Sequence, residues 1–237
     1  MSTSVKWLGF GIASALTRTA AHFYPSSGNV TAPYPVSCRL TIFAEGQAPT
    51  GLTVDGLRLS QPEGVWVDEA FPVLKSSSAA LFGMEVCISC QQQRVDLENS
   101  SCVLEFASLV SSVRFWPVCT EGGPEIVGRS RVAPLIKDPF HLTSVIVINP
   151  TDQPQQPKLL LNGKPAGNSE VGAFALKEFE LDSLAASQPD GQLAPQEVGF
   201  GLFRGGSLEF AGDRTPCAIY LVYRDVLTKR PVSVVSI

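Results

Sequence analysis

Alternation of hydrophobic and polar residues dominates the chain after residue 34. Leu40 and Ile42, for example, alternate with Arg39 and Thr41, which is the two-residue period of a half-buried strand. Other hydrophobic segments of strand length are 65–73, 81–90, 102–109, 113–118, 144–148, 158–161, 171–181, 198–203, 217–223 and 232–237. Clusters of Gly, Pro, Asn and Asp separate them. Short strands with turn residues between them predict an all-β fold of antiparallel sheets.

Three of these segments are hydrophobic at consecutive positions: 145–148, 159–161 and 218–223. A strand that is apolar on both faces is usually covered on both sides. The cover could be a sister domain, the amino-terminal segment or another chain, and the sequence does not choose among these. We therefore expect interface residues in these strands. The candidates are Val145, Val147, Tyr220 and Val222.

The segment 120–139 interrupts the strand pattern with three Pro, three Gly and mixed charges. Two segments, one beginning at Cys38 and one at Ser144, lie on either side of it and have the same order of features. Each has a strand, a polar turn with Pro, a second strand and a turn with Gly. Any two antiparallel domains can look alike in this way. We predict two tandem antiparallel β-sandwich domains, Ig-like or jelly-roll-like. The predicted segments are an amino-terminal segment 1–34, domain 1 at 35–119, a linker at 120–139 and domain 2 at 140–237.

The amino-terminal segment differs from the rest because residues 1–44 contain no Asp or Glu. Within it, residues 7–16 are uncharged and largely apolar. Three interpretations remain open: a first strand packed on the body, a targeting or anchoring segment, or an arm to a neighbouring chain. Trp7 and Phe10 are further interface candidates here, and residues 7–16 could make peripheral contact with a membrane.

Composition narrows the possible partners. The 237 residues are 44% hydrophobic and only 17% charged, with a formal net charge of -4. The chain can bury a substantial core, and without blocks of Lys or Arg we do not expect nucleic acid as a partner. With so few charged residues, part of the surface is expected to be apolar. We therefore expect it to be covered by a protein partner or by another copy of the chain.

The cysteines do not form a convincing chemical site. Cys87 and Cys90 form a CxxC motif, but they lie in a predicted strand, where residues three apart point to opposite faces. No further Cys or His stands at the compact spacing that zinc requires, so we expect no metal site. Buried thiols are the simplest interpretation of Cys38, Cys102 and Cys217, although export would allow disulfides.

The chain carries only two histidines, His22 and His141, and no motif of hydrolytic or nucleotide-binding enzymes surrounds them. We therefore expect no catalytic residues and no cofactor. The enzyme alternative makes one specific prediction. It requires a cleft that contains His22 or His141 with a carboxylate within hydrogen-bond reach.

The sequence thus favours a non-catalytic structural or interaction protein, a subunit of a larger and potentially membrane-associated assembly. Its apolar sheet faces and its amino-terminal segment would be the docking elements. One alternative is a module that binds carbohydrate or a surface, which predicts an exposed aromatic cleft. The rings with polar groups that such a cleft would use are Trp66, Trp116, Tyr34, Tyr220 and Tyr223, although packing in the core or at an interface is the simplest interpretation of each. The other alternative is a viral coat-type protein, which predicts symmetric copies and an arm from residues 1–35.

Overall fold

The computed structural model describes residues 4–29, 34–76, 80–91, 95–121, 131–166, 169–181, 204–210 and 216–237. In chain order the strands are β1 (Ser4–Ala13), β2 (Arg18–Tyr24), β3 (Pro35–Phe43), β4 (Thr50–Arg58), β5 (Glu63–Trp66), β6 (Ala80–Ser89), β7 (Ser101–Ala107), β8 (Ser112–Phe115), β9 (Val118–Glu121), β10 (Arg131–Lys137), β11 (His141–Asn149), β12 (Leu159–Leu161), β13 (Lys164–Pro165), β14 (Ala175–Glu180), β15 (Arg204–Phe210), β16 (Ala218–Asp225) and β17 (Pro231–Ser236). One α-helical turn, α1 (Val67–Ala70), and a 3-10 turn (Pro72–Ser76) lie between β5 and β6.

The strands of the described residues form four sheets. Sheet I has the order β4-β3-β6-β1-β9, sheet II β5-β2-β7-β8, sheet III β10-β15-β12-β13 and sheet IV β14-β11-β16-β17. The paired strands run antiparallel, for example β1 with β6 and β11 with β16. The all-β sandwich class expected from the alternation pattern is therefore confirmed.

The chain divides into two compact units, Met1–Glu125 with Phe174–Leu176, and Ile126–Ala173 with Lys177–Ile237. Sheets I and II lie in the first unit, and sheets III and IV make up most of the second. The tandem pair of sandwiches, with its four segment boundaries, stays a prediction.

An aromatic cluster joins the two sheets of the first unit. Phe10 of β1 lies against Phe106 of β7 and Phe115 of β8, with all three pairs of ring centroids 5.1–5.2 Å apart. The tilted rings are an arrangement that aromatic pairs favour, and each buries a large apolar area. The core of this unit therefore lies between sheets I and II.

Two glycines of sheet I lie under aromatic rings. Gly11 on β1 pairs with Phe82 on β6, and Gly83 on β6 pairs with Phe43 on β3. A Cβ at either glycine would overlap the ring of its partner. The rings can therefore lie against the backbone only because these positions carry no side chain.

The central strands of sheet IV are buried at successive positions, 145–148 in β11 and 218–222 in β16. Strands of a one-sided sheet would expose every second residue. The chain itself covers both faces here, so the cover expected from the sequence needs no second molecule.

The amino-terminal segment is built into the sheets. β1 pairs with β6 along Ser4–Ala13, and β2 pairs with β7 along Arg18–Tyr24. Of the three interpretations, the packed strand describes this stretch, and the docking arm is wrong for residues 4–24. Trp7 and Phe10 are buried, because the apolar positions complete the core of the first unit.

The range 120–139, predicted as a linker, contains a strand that the alternation pattern did not predict, β10. Arg131–Lys137 pairs with β15 at the edge of sheet III, and Ala133 and Leu135 are buried. Pro134 is tolerated because an edge strand has hydrogen-bonding groups without a neighbour. The predicted strand 198–203 lies outside the described residues, and β15 begins immediately after it.

The predicted strand 65–73 is also wrong beyond Trp66, where β5 ends and α1 begins. Pro72 cannot donate a hydrogen bond to a sheet. Asp68 and Glu69 stand in the first turn of α1, where acidic residues are favoured. Their carboxylates bind Arg18 of β2 at 3.0 and 2.6 Å, which holds this turn beside sheet II.

Candidate ligand-binding site

The face of sheet II that points away from sheet I carries a group of polar and aromatic side chains. Cross-strand pairing aligns Trp66, Ala20, Glu105 and Arg114 in one row. His22 lies two residues beyond Ala20 on β2, and residues two apart on a strand share a face. The register of four strands therefore brings together residues that are distant in the sequence.

Glu105 is the centre of this group. Its Oε2 atom lies 2.8 Å from Nε2 of His22 and 3.1 Å from Nε of Arg114, while the residue is only 8% exposed. Burial acts to raise the pKa of Glu105, but hydrogen bonds from Arg114, His22 and Ser112 outweigh it, and the pKa falls below its usual 4.5. The carboxylate is therefore ionised at neutral pH and orients two nitrogen-bearing side chains.

The hydrogen-bond partner of His22 fixes its orientation. Because Nε2 faces an ionised carboxylate, we assign the ring proton to Nε2. Nδ1 then points towards Gly64 of β5, where a Cβ would lie only 2.8 Å from it. The absence of a side chain at position 64 thus leaves room for the ring.

A shallow cavity of about 370 Å³ opens beside the His22 ring. Its lining comes from β2, from β5 with the residue before it, and from β7: His22, Phe23, Tyr24, Pro62, Glu63, Gly64, Ser101 and Val103. The volume is in the range of small-ligand sites. The imidazole of His22, with Nδ1 beside Gly64, therefore borders a space that a small ligand can enter.

Three aromatic rings on or directly beside sheet II are exposed, and one of them, Tyr24, lines the cavity. Tyr24 on β2, Trp66 on β5 and Trp116 directly after β8 are all exposed. The guanidinium of Arg18 lies 4.4 Å from the centroid of the Trp66 ring, which fixes that ring by a cation–π contact. Sheet II thus presents rings and polar groups on one surface.

His22 and Glu105 meet the geometric condition of the enzyme alternative. A hydrolytic site would also need a nucleophile on the other ring nitrogen. Among the described residues, no hydroxyl or thiol forms a hydrogen bond with His22. Oε2 of Glu105 is also shared with Arg114. This arrangement orients a ring but does not complete a catalytic triad.

His141 occupies a different setting, at the start of β11. Its Nδ1 lies 2.8 Å from Oδ2 of Asp138, and Oδ1 of the same residue accepts the backbone N–H groups of Phe140 and His141. Burial acts to raise the pKa of Asp138, but the hydrogen bond from His141 and those from the backbone lower it below its usual 3.8. The pair stabilises a turn.

The six predicted interface residues need a correction, because none of them is on the surface. All are 5% exposed or less within this single chain: Trp7, Phe10, Val145, Val147, Tyr220 and Val222. Their apolar side chains are covered by the chain itself, so a partner could reach them only by opening the core. The apolar stretch 7–16 likewise is exposed only at its end, at Ala15 and Leu16.

All six cysteines lie in the described ranges and are thiols. Cys38 and Cys102 are buried, as the sequence predicts, and burial raises the pKa of Cys38 to about 12. Cys217 is only half-buried, with its pKa raised to about 11 by the same cause. Burial also raises the pKa of Cys87. Raised pKa values leave these thiols protonated and weakly nucleophilic at neutral pH.

Within the described ranges, no three side chains of His, Cys, Asp or Glu lie close enough together to hold a metal ion. No helix among these residues has the length and apolar character needed to cross a membrane. A scan against protein-family models, a search of curated proteins and a search of solved structures found no match to this chain. Function must therefore be argued from the surface of sheet II itself.

Proposed function

We propose that this chain is a non-catalytic binding protein whose sheet II surface binds carbohydrate. The observation that carries the proposal is the cavity at His22, where Tyr24 contributes an aromatic ring and His22 an imidazole oriented by Glu105. The sequence had offered a carbohydrate-binding module as an alternative, with an exposed aromatic cleft as its mark.

The chemistry of sugars matches these groups. A sugar ring carries hydroxyls at its edge and C–H groups on its faces. An exposed aromatic ring offers an apolar, electron-rich face to the C–H groups. The imidazole of His22 offers a ring nitrogen to a hydroxyl at the cavity. The guanidinium of Arg114, which lies on sheet II outside the cavity lining, offers N–H donors to a hydroxyl further along the same face. The polar groups are oriented by Glu105 before any ligand arrives, which reduces the entropy lost on binding.

Binding is favoured over catalysis by the positions of the same atoms. Both partners of Glu105 Oε2 are donors within 3.1 Å, so this carboxylate is already neutralised by hydrogen bonds and by the charge of Arg114. A general base needs an available lone pair directed at substrate. Glu105 instead acts as a support beneath His22 and Arg114.

The proposal is tested by binding of the full chain to an array of neutral and acidic glycans. Replacing the ring that lines the cavity, Tyr24→Ala, removes a contact worth about 1 kcal/mol, and we expect roughly fivefold weaker binding to any glycan retained. Phe140→Ala is the matched control, because Phe140 is an exposed ring outside sheet II. Absence of glycan binding would overturn the proposal, and glycan cleavage would overturn its non-catalytic part.

A second candidate is the assembly subunit favoured by the sequence. The residues that support this candidate are not the predicted interface residues but two apolar residues in a turn. Leu109, at the tip between β7 and β8, is 98% exposed, and Val110 beside it is 79% exposed. Apolar residues are unusual at the apex of a turn. The native mass of the chain, with and without detergent, tests this candidate. Larger species that disappear in Leu109→Ser/Val110→Ser would support it, and a monomer in plain buffer counts against it.

A further inference from the structure

We infer that the chain docks on the surface of an anionic membrane through two loops at one end of sheet IV, with Phe140 and Leu227 entering the lipid. These loops, residues 138–140 and 225–230, are called the Phe140–Leu227 tip below. Phe140 is 57% exposed and Leu227 is 87% exposed. The inference goes beyond the proposed function, because carbohydrate binding is assigned to sheet II and the tip belongs to sheet IV.

The two loops of the tip are neighbours in the fold. His141 of β11 pairs with Asp225 of β16 where the two strands meet the loops. The N–H of Val226 donates to the carbonyl oxygen of Phe140 at 2.9 Å. The loop before β11 and the turn between β16 and β17 therefore leave sheet IV side by side. Each of these adjacent loops carries one exposed apolar side chain, Phe140 or Leu227.

The turn that carries Leu227 pairs its own backbone donors. Oδ1 of Asp225 accepts the N–H groups of Leu227 and Thr228 and the hydroxyl of Thr228. The other N–H groups of residues 225–230 donate to oxygen atoms of the same two loops. A backbone donor without a partner costs free energy when it leaves water. Since the donors of this turn have partners, its apex can enter the boundary layer of a bilayer at low cost.

Two cations stand behind the apolar apex. Lys229 is exposed and Arg230 is half-buried, whereas the acidic side chains of the tip are turned inwards. The side chain of Asp138 is only 5% exposed, and Asp225 is the acceptor within its own turn. Apolar side chains in front and cations behind match the depth profile of a bilayer, where hydrocarbon lies below the phosphates. Because two acids offset two cations, we expect insertion to supply most of the affinity and the cations to add a modest preference for anionic lipids.

The backbone at Lys229 supports a role for its charge. Its φ of 59° lies in the left-handed region, which glycine adopts without the penalty that a Cβ brings. A non-glycine residue in such a conformation is a reason to look for a function of its side chain. An exposed ammonium next to an apolar apex is the function that the anionic membrane surface supplies.

The size of the tip favours a lipid surface over a protein partner. A stable protein interface buries about 800 Å² on each partner, which two projecting side chains do not provide. A projecting loop also needs a matching pocket on a protein. Fluid lipid needs no such pocket, so a small apolar apex is sufficient for peripheral binding.

The test is flotation of the full chain with vesicles of two compositions, phosphatidylcholine alone and phosphatidylcholine mixed with phosphatidylserine. We expect binding to both kinds of vesicle and about fivefold tighter binding to those with phosphatidylserine. High salt should remove this difference, because it screens exposed charges. The apolar contribution should remain.

Paired variants assign the binding to the tip. Phe140→Ser/Leu227→Ser should weaken binding to both kinds of vesicle about tenfold or more. The matched control is Leu109→Ser/Val110→Ser, which removes two exposed apolar side chains from the turn between β7 and β8 and should leave vesicle binding unchanged.

A single variant separates the charge of Lys229 from its effect on folding. Lys229→Gly removes the ammonium and places glycine at a positive φ, so the Tm should stay the same or rise. The preference for phosphatidylserine should nevertheless largely disappear. A preference that survives in this variant would overturn the role of Lys229.

The remaining outcomes decide between occupants of the tip. Absence of binding to either kind of vesicle overturns the inference, and since these vesicles carry no sugar, it leaves the proposed carbohydrate binding in place. An equal loss of binding in the Leu109/Val110 control overturns the assignment to sheet IV. A dimer that Phe140→Ser/Leu227→Ser abolishes, in a chain that binds no vesicles, identifies a second copy as the occupant and overturns the membrane.

Discussion

The two histidines of this chain illustrate how differently the same pair of groups can be used. His22 and His141 each lie 2.8 Å from a carboxylate oxygen. The partner of His141 is three residues away and stabilises the turn before β11. The partner of His22 is 83 residues away and lies on a neighbouring strand of an exposed sheet.

The two pairs, His22 with Glu105 and His141 with Asp138, differ in the groups that surround the carboxylate and the second nitrogen of the imidazole. Asp138 also accepts two backbone N–H groups, so it completes a local loop of the chain. Glu105 accepts from two side chains that face solvent and a cavity. A histidine next to a carboxylate thus indicates a site only when the pair orients groups towards accessible space.

The largest effect is expected when the centre of the His22 group is removed. Glu105→Ala leaves His22 and Arg114 without their shared acceptor, so it should abolish glycan binding and lower the free energy of unfolding by about 2–3 kcal/mol. Urea unfolding and glycan binding measure the two effects. Unchanged binding in this variant would contradict the supporting role assigned to Glu105.

Lowering the pH should remove the contribution of Glu105 and then that of Asp138 to the free energy of unfolding. The pKa of Glu105 is lowered by folding, so its stabilisation is present above the unfolded value near 4.5 and is lost as pH falls through the folded pKa. For Asp138 the same loss begins near 3.8. In Glu105→Gln, the free energy of unfolding should depend less on pH than in the native chain just below pH 4.5. In Asp138→Asn, the same reduction should occur only at lower pH. Identical profiles for the two variants would refute this order.

A smaller effect is expected at the other histidine. Asp138→Ala removes the acceptor of the turn before β11 and should cost about 1 kcal/mol of stability. Because this turn is separate from the sheet II surface, glycan binding should not change once the variant is folded. A loss of binding at a temperature well below its Tm would show that the comparison between the two pairs fails.

A similarly small effect on stability is expected at Gly64. Gly64→Ala places a Cβ close to Nδ1 of His22, and the ring must turn from its preferred rotamer at a cost of about 0.5–1.5 kcal/mol. Binding should weaken a few-fold while the fold remains intact. Gly51→Ala is the control, because its Cβ would meet the side chain of Arg39 on sheet I. Equal binding in the two variants would mean that the His22 ring does not contribute.

Much of the strand content could be predicted from the sequence because alternation is a local property. β3, β6 and β11 lie within or close to the predicted segments. β10 was missed because Pro and Gly surround it, and its strand form depends on pairing with β15. The interface residues were misplaced for a related reason. Hydrophobicity predicts that a strand is covered but does not say which part of the chain covers it.

The candidate site could be predicted only in part. His22 was named only as a histidine that the enzyme alternative would need, and Trp66 and Trp116 were two of five rings considered for a sugar-binding face, each with packing as the simplest interpretation. Glu105 and Arg114 were missed, because an acidic residue and an arginine on separate strands look like ordinary solvent-exposed positions. Their meeting depends on the register that pairs Glu105 with Arg114 and with Ala20. Register is a property of the folded sheets and leaves little trace in one sequence.

The two glycines beneath aromatic rings have a consequence for mutational surveys. Gly11 and Gly83 lie under Phe82 and Phe43, and any other residue adds a Cβ where a ring already is. In a scan of tolerated substitutions, both positions would look as intolerant as those that touch a ligand. Substitutions at these two positions are not tolerated because the rings contact the backbone within sheet I. Selection would therefore keep glycine at both positions even in a descendant that had lost its ligand.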